Sequence, residues 1–214
     1  IFCYTISAQQ IAIDTLEIQN LEEVIVSSVR AKENLPIAFN NISKDELSKR
    51  NLGQDIPILL NFLPNVVTTS DAGAGIGYTG IRIRGINSQS TNVTINGIPY
   101  NDAESLGTFW VDLPDFSSSV ENLQVQRGIG TSVNGSSAFG ASINILTDKI
   151  AEKSFFESSN TVGSFNTIKN NFKFSTGLLN NAFEFSGRLS KIDSDGYIDR
   201  ASSNLKSYFL QFSY

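Results

Sequence analysis

The last third of the chain alternates strictly between apolar and polar positions. Ile168, Asn170, Phe172, Phe174 and Thr176 interleave with Thr167, Lys169, Asn171, Lys173 and Ser175. Phe183, Phe185, Gly187 and Leu189 interleave with Glu184, Ser186, Arg188 and Ser190, and Tyr208, Leu210, Phe212 and Tyr214 repeat the pattern. A period of two with large aromatics on one face predicts half-buried antiparallel strands. The stretches LLNNAF and KIDSDGYIDRASSN supply the turns. Two architectures fit: an ordinary sandwich or meander, or a membrane barrel with aromatics out and polar groups in, whose strands need ~9–11 residues each.

The texture is different before Lys153. In LEEVIVSSVR a β-branched run, Val24-Ile25-Val26, follows two acids. Ser43 followed by Glu46 is a capping-box pattern and predicts a short helix within 42–51. A second helix is predicted from residue 53 to about 61, with Pro57 near its first turn, Pro64 as its stop and a strand over Val66–Thr69. Residues 71–80, DAGAGIGYTG, read as a glycine-rich loop. Ile81–Arg84 and Val93–Ile95 read as strands, and Asn96-Gly97 is a strong turn signal. Residues 101–118 look irregular, 118–130 begin as a helical turn and run into a strand over Leu123–Gln126, and 131–142 form another small-residue loop. A strand over 143–148 completes a compact α+β unit.

Composition narrows the classes. Hydrophobic residues make up 40% of 214 and charged residues only 17%, below the usual quarter for soluble domains. The net charge of -5 leaves no basic footprint for phosphates and argues against a nucleic-acid partner. The chain has no His, which excludes a Ser-His-Asp triad and a histidine metal site. Its single cysteine, Cys3, excludes a disulfide framework and a CxxC site. The chain begins at Ile1 and contains no Met, so a fragment of a longer protein is expected. Ile1–Ile6 followed by Ser7 and Ala8 matches the end of a signal peptide cleaved near Ala8, the alternative being a short buried strand.

Several motifs fail on context. Gly75-x-Gly77-x-x-Gly80 has the letters of a dinucleotide fingerprint, but a strand follows where a helix N-terminus is needed. Gly128-x-Gly130 lacks the Gly-Lys-Ser/Thr of a phosphate loop. Asp55, Asp71, Asp102, Asp112 and Asp115 are scattered, and are expected to be solvated loop acids.

Six stretches in order, LEEVIVSS, LLNFLPNVV, IRIRGI, VTINGIPY, VENLQVQRG and SSAFGASINILT, resemble the plug domain of TonB-dependent outer-membrane receptors. The resemblance covers about residues 21–150. Its departures are Asn96 where Asp is common, Asn65 where Gly is, Phe139 where Tyr is and Ser142 where Gly is. It implies an α+β plug domain, a mixed small sheet with short helices and long Gly-rich loops, followed by the first antiparallel strands of a truncated transmembrane β-barrel. Expected divisions are 1–8 as signal remnant, 9–30 as N-terminal segment, 31–150 as plug and 151–214 as barrel start. A barrel of 22 strands needs ~220 residues in strands alone. The residues after Lys153 suffice for three or four.

The implied function is active transport of a scarce ligand such as a ferric siderophore, not catalysis, and no cofactor is implied. Glycan or cobalamin uptake, or a soluble carbohydrate-binding or adhesion protein, are the alternatives. The TonB box would be Leu21, Glu22, Glu23, Val24, Ile25, Val26, Ser27 and Ser28, captured by strand addition to a periplasmic TonB-type energy transducer. Arg84 and Arg127 match the family's Arg-Gly arginines, and would latch the plug to barrel glutamates beyond Tyr214. Ligand contact is expected around Tyr78, Tyr100, Phe109 and Trp110, the alternative being that Phe109 and Trp110 only pack the plug, and outer-membrane lipid would surround the strands.

Overall fold

The structure is a computed structural model and describes residues 29–33, 35–129, 138–180 and 182–214. The first strand, β1 (Ala38–Ser43), runs directly into helix α1 (Lys44–Arg50). Ser43 caps this helix as its sequence predicts. Its hydroxyl accepts from the Glu46 amide, and Glu46 accepts from the Ser43 amide at 3.1 Å. Asp45 and Glu46 occupy the first turn and Lys49 and Arg50 the last, matching the helix dipole.

The second helix is shorter than its pattern suggests: α2 covers only Ile56–Leu59, with Pro57 in its first turn. Gly53, at φ +110, and Asn65, at φ 63, turn the chain on either side of it. Strands β2 (Val66–Ser70) and β3 (Thr79–Ile83) pair antiparallel as a separate two-stranded sheet, with the glycine-rich loop between them. Next come β4 (Thr91–Ile95) and the two-residue β5 (Ile98–Pro99), joined through Asn96 and Gly97. Both turn residues have positive φ, 50 and 81, the mirror-image hairpin turn that Asn-Gly favours. Two short 3-10 turns, Trp110–Asp112 and Phe116–Ser119, lead into β6 (Val120–Arg127), and β7 (Ala141–Thr147) follows.

The five-stranded sheet has the order β1-β6-β7-β4-β5. Only β4 and β7 are parallel, as a mixed sheet requires. Period two sends Leu123, Val125, Ile143, Ile145 and Val93 to one face. There they meet Leu47 of α1, Ile56 and Leu60 at α2, Ile81 and Ile83 of β3, and Trp110 and Phe116. This is the hydrophobic core.

A four-stranded antiparallel meander follows: β8 (Phe155–Val162), β9 (Ile168–Ser175), β10 (Glu184–Ser194) and β11 (Ser203–Ser213), paired in sequence order. Its orientation is inverted relative to a water-soluble sheet. Lys169, Asn171, Lys173 and Ser175 of β9 and Glu184, Arg188 and Ser190 of β10 are buried. Phe172, Phe185, Leu189, Tyr208, Leu210 and Phe212 are exposed. The aromatic outer face is knit by Phe156–Phe172, Phe174–Phe185 and Phe183–Phe212 ring contacts.

Candidate functional site

The polar face of the meander is buried because it meets charges on the first unit. Asp115 sits between the two 3-10 turns in a left-handed conformation, φ 53. Its carboxylate is 2.6 Å from the Lys169 ammonium and 3.4 Å from the Arg188 guanidinium. Ser118 Oγ donates to it at 2.6 Å, Ser190 Oγ at 2.7 Å, Asn51 at 3.2 Å, and Asn171 also donates. Burial pushes the Asp115 carboxyl up, but the two cations and the hydrogen bonds outweigh that and hold it below the ordinary carboxylate range. Arg188 also donates to Ser119 Oγ at 2.8 Å, and Lys173 to the Ser118 carbonyl at 3.0 Å.

A second centre lies at Asp148, 2.6 Å from both Lys173 and Lys44. Lys44 also reaches Glu121 at 3.5 Å. Across the seam the ion pairs run from acids of the first unit, Asp115 and Asp148, to cations of the meander, Lys169, Lys173 and Arg188, with Lys44 of the first unit sharing Asp148 and Glu184 of β10 buried beside Ser175. Such buried pairs are strong only when the remaining donors and lone pairs are satisfied, and around Asp115 they are.

At one edge, loops of both units meet. The Tyr197 and Ile198 amides donate to the Ala72 carbonyl at 2.8 and 3.2 Å. The Tyr197 ring packs on Gly73, where a Cβ would approach to 3.0 Å, and makes an edge contact with Phe165. Behind this loop lies Asp55. It is 2% exposed, accepts from Thr79 Oγ1 at 2.9 Å, and its amide donates to Gly75 O at 2.9 Å. Burial pushes its carboxyl up to about 7, against the opposing hydrogen bonds of Thr79 and the Gly77 amide.

At another edge a groove of about 580 Å³ is lined by Arg84, Arg127, Ile37, Ile86, Ile129 and Phe139, among others. Arg127 donates to the Pro64 carbonyl at 3.3 Å. A Cβ on Gly128 would sit 2.8 Å from the Arg84 guanidinium, so glycine there makes room for the neighbouring arginine. Among the described residues, neither arginine is ion-paired with an acid.

Residues 31–142 match the family model of the TonB-dependent receptor plug domain. The chain belongs to this family. It is 27% identical over 184 residues to the vitamin B12 transporter BtuB of Vibrio vulnificus, covering 85% of this chain and 29% of that one. It is 24% identical over 212 residues to the ferrienterobactin receptor of Escherichia coli, covering 91% and 28%. Among solved structures, it superposes on Pseudomonas aeruginosa FpvA with a TM-score of 0.65 at 15% identity, covering 83% of this chain and 23% of that one. The chain thus spans less than a third of the length of these relatives.

In plug terms the sequence-predicted residues separate. Leu21–Ser28 lie outside the described residues. Arg84 and Arg127 come together at one groove. Of the four aromatics expected at the ligand, Tyr78 and Phe109 are exposed, 66% and 48%, and Tyr100 is partly buried against the core. Trp110, at 2% exposed, belongs to the plug core cluster, so for it the packing alternative holds and not solute contact. Asp115 and Asp55 are corrected, being buried and not solvated. Sequence reasoning missed the cations Lys169, Lys173 and Arg188 as plug contacts, though all three fall on the polar side of the alternation. It also passed over Phe165 and Tyr197, which lie in turns outside any periodic run.

Proposed function

We propose that this chain is the plug and first wall strands of an outer-membrane receptor that actively imports a scarce solute, in the first instance a ferric siderophore. A periplasmic TonB-type transducer would supply the energy by capturing Leu21–Ser28. The observation that carries the reading is the inverted meander, with charges buried on the plug and aromatics outward. A soluble adhesion or carbohydrate-binding sheet would bury those aromatics, whereas a wall in lipid presents them. A passive porin has no use for the folded unit that the meander grips. The ferrienterobactin receptor and the siderophore receptor PirA among the relatives support the ligand class. The BtuB relative supports cobalamin as the second reading. Solute contact is assigned to Tyr78 and Phe109 of the plug with Phe165 and Tyr197 of the wall loops.

The test is uptake by the full-length receptor in cells lacking their own receptors, using a panel of siderophores loaded with radioactive iron, and labelled cobalamin. Iron should accumulate from at least one siderophore, and a protonophore should stop it. Ile25→Pro removes a backbone donor from the captured strand, so uptake should be abolished and surface binding kept. Accumulation of cobalamin alone would move the ligand class. Loss of binding together with uptake would refute the role given to Leu21–Ser28.

A further inference from the structure

The outer face of the meander is not apolar over its whole height. In register, Asn160 of β8, Asn170 of β9, Lys191 of β10 and Lys206 of β11 form one polar row across all four strands. The neighbouring row is Ser158, Phe172, Leu189 and Tyr208, and the one after it Phe156, Phe174, Gly187 and Leu210. The lysines therefore stand at the edge of the aromatic band. Its far end is marked by Phe183, which packs on Phe212 and Tyr214. At ~3.4 Å per residue and a strand tilt of ~40°, Lys191 lies roughly 20 Å above Phe183, close to the ~25 Å height of an apolar outer band. The polar row is on the side of turn 163–167 and loop 195–202, which carry Phe165 and Tyr197.

By themselves the two lysines are an unfavourable pair. They are direct cross-strand partners, which sets their Cβ atoms ~5 Å apart, and like charges so placed repel. Lys191 has one carboxylate, Asp193 on its own strand, at 2.7 Å, but both side chains are largely exposed, 49% and 33%, and such a pair holds weakly. Asp193 also accepts from Asn204. The inward cations Lys169, Lys173 and Arg188 all have plug acids, whereas Lys206 has no ion pair among the described residues. Two ammonium groups thus share one carboxylate. At the rim of a band that faces lipid, the missing counter-charge has to come from outside the chain. One row further on, Asp193 and Asn204 keep β10 and β11 polar, while Val162 and Ile168 keep β8 and β9 apolar. The cationic spot is confined to the β10–β11 hairpin, with the Asn170 amide beside it.

We propose that Lys191 and Lys206 form a docking site on the outside of the wall for a phosphate-bearing lipid headgroup of the outer leaflet. A phosphate between the two ammonium groups turns their repulsion into a shared attraction. Lysine suits the place, because its compact charge sits on a flexible stem that can reach up from the band while the stem stays on apolar surface. The acyl chains of the same lipid would lie along Phe172, Leu189, Tyr208 and Leu210, which are exposed directly below. A free phosphate has no use for that surface. The inference rests on the reading above for two points, that these strands face lipid and which leaflet the row meets, and on nothing about the solute.

The experiment uses the purified full-length receptor in detergent, titrated with a diphosphorylated glucosamine lipid (lipid A) and with the same lipid stripped of its phosphates. Native mass spectrometry reads the affinity of the tightest-bound lipid. The phosphorylated form should bind at least tenfold more tightly. Lys191→Gln combined with Lys206→Gln should abolish that preference, whereas Lys49→Gln at the end of α1 should keep it. Asp193→Asn removes the carboxylate that competes for Lys191 and should tighten binding. Inorganic phosphate in tenfold excess should not displace the lipid. The unfolding temperature checks each variant, and Lys206→Gln alone carries the test if the double variant fails that check. Equal binding of the two lipid forms, or an unchanged preference in the double variant, overturns the headgroup site and leaves the lipid-facing wall standing. Displacement by inorganic phosphate also overturns it, in favour of a free-anion site. Binding of neither lipid form overturns the site and the lipid-facing wall together.

Discussion

Asp115 occupies a loop position that reads as surface, between Pro114 and Phe116, yet it is buried and ion-paired to both Lys169 and Arg188. Its carboxyl is held below the ordinary range, so its contribution is present above that range and is lost only as pH falls through the lowered value. Seating of the plug on the first wall strands should accordingly not weaken between about pH 5 and 8 on its account. Asp115→Asn leaves Lys169 and Arg188 without their counter-charge. It should destabilise the seam by about 3–5 kcal/mol, read from denaturant unfolding of the full receptor in detergent. Asp55 has the opposite sign. Its folded value is raised from 3.8 to about 7, so the stability linked to its protonation is complete below the lower value and lost as pH rises through the upper. Asp55→Asn keeps an oxygen for Thr79 and Gly77 but cannot ionise. At pH 8 it should slow amide exchange in loop 71–80 relative to wild type, by up to the order of 4 kcal/mol in opening free energy, with the difference vanishing near pH 4. Faster exchange in the variant at pH 8 would contradict the assigned burial.

At the scale of elements, the meander strands show what periodicity conveys and what it omits. Alternation placed Phe172, Lys173, Leu189 and Arg188 on opposite faces correctly, because strand geometry fixes that relation locally. It left open which face turns inward. The answer comes from partners: Lys169, Lys173 and Arg188 find Asp115 and Asp148 on the plug, and their aromatic neighbours are left facing out. Leu189→Arg on the outward face of β10 tests the consequence. In a bilayer it should cost about 2–4 kcal/mol if the residue lies near the midplane, measured by unfolding in lipid vesicles. A soluble sheet would tolerate it. The helix α2 is the converse case. Its apolar run suggests a longer helix, but Gly53 with positive φ delays its start to Ile56, and it ends after a single turn at Leu59.

Across the whole molecule the plug has two unlike charged edges. Acids face β9 and β10, whereas Arg84 and Arg127 line the groove that these four strands do not cover. We take the remainder of the wall to bring carboxylates to this groove. The opposed polarities would then fix the plug's rotation inside the wall, since a misrotated plug would set like charges together. Arg84→Ala combined with Arg127→Ala should speed amide exchange in the five-stranded sheet of the full receptor, or make it leak small solutes. Wild-type exchange and impermeability would overturn the latch.

By itself the sequence determined the capped helix α1, the Asn-Gly turn, the strands β2, β3, β4, β6 and β7, the alternation of β9 to β11 and the resemblance to the plug family, while β1 and β8 carried no signal that it read. Each element so determined is set by local geometry or by side-chain period, which a linear pattern carries. Only the tertiary structure decided that Trp110 packs the core, that Asp55 and Asp115 are buried, that the polar face of the meander is the inner one, and that the amides of Gln124, Gln126 and Asn144 hold residues 29–31. Those outcomes depend on contacts between residues tens of positions apart, where the same Asp or Gln is solvated or buried according to what the fold brings against it.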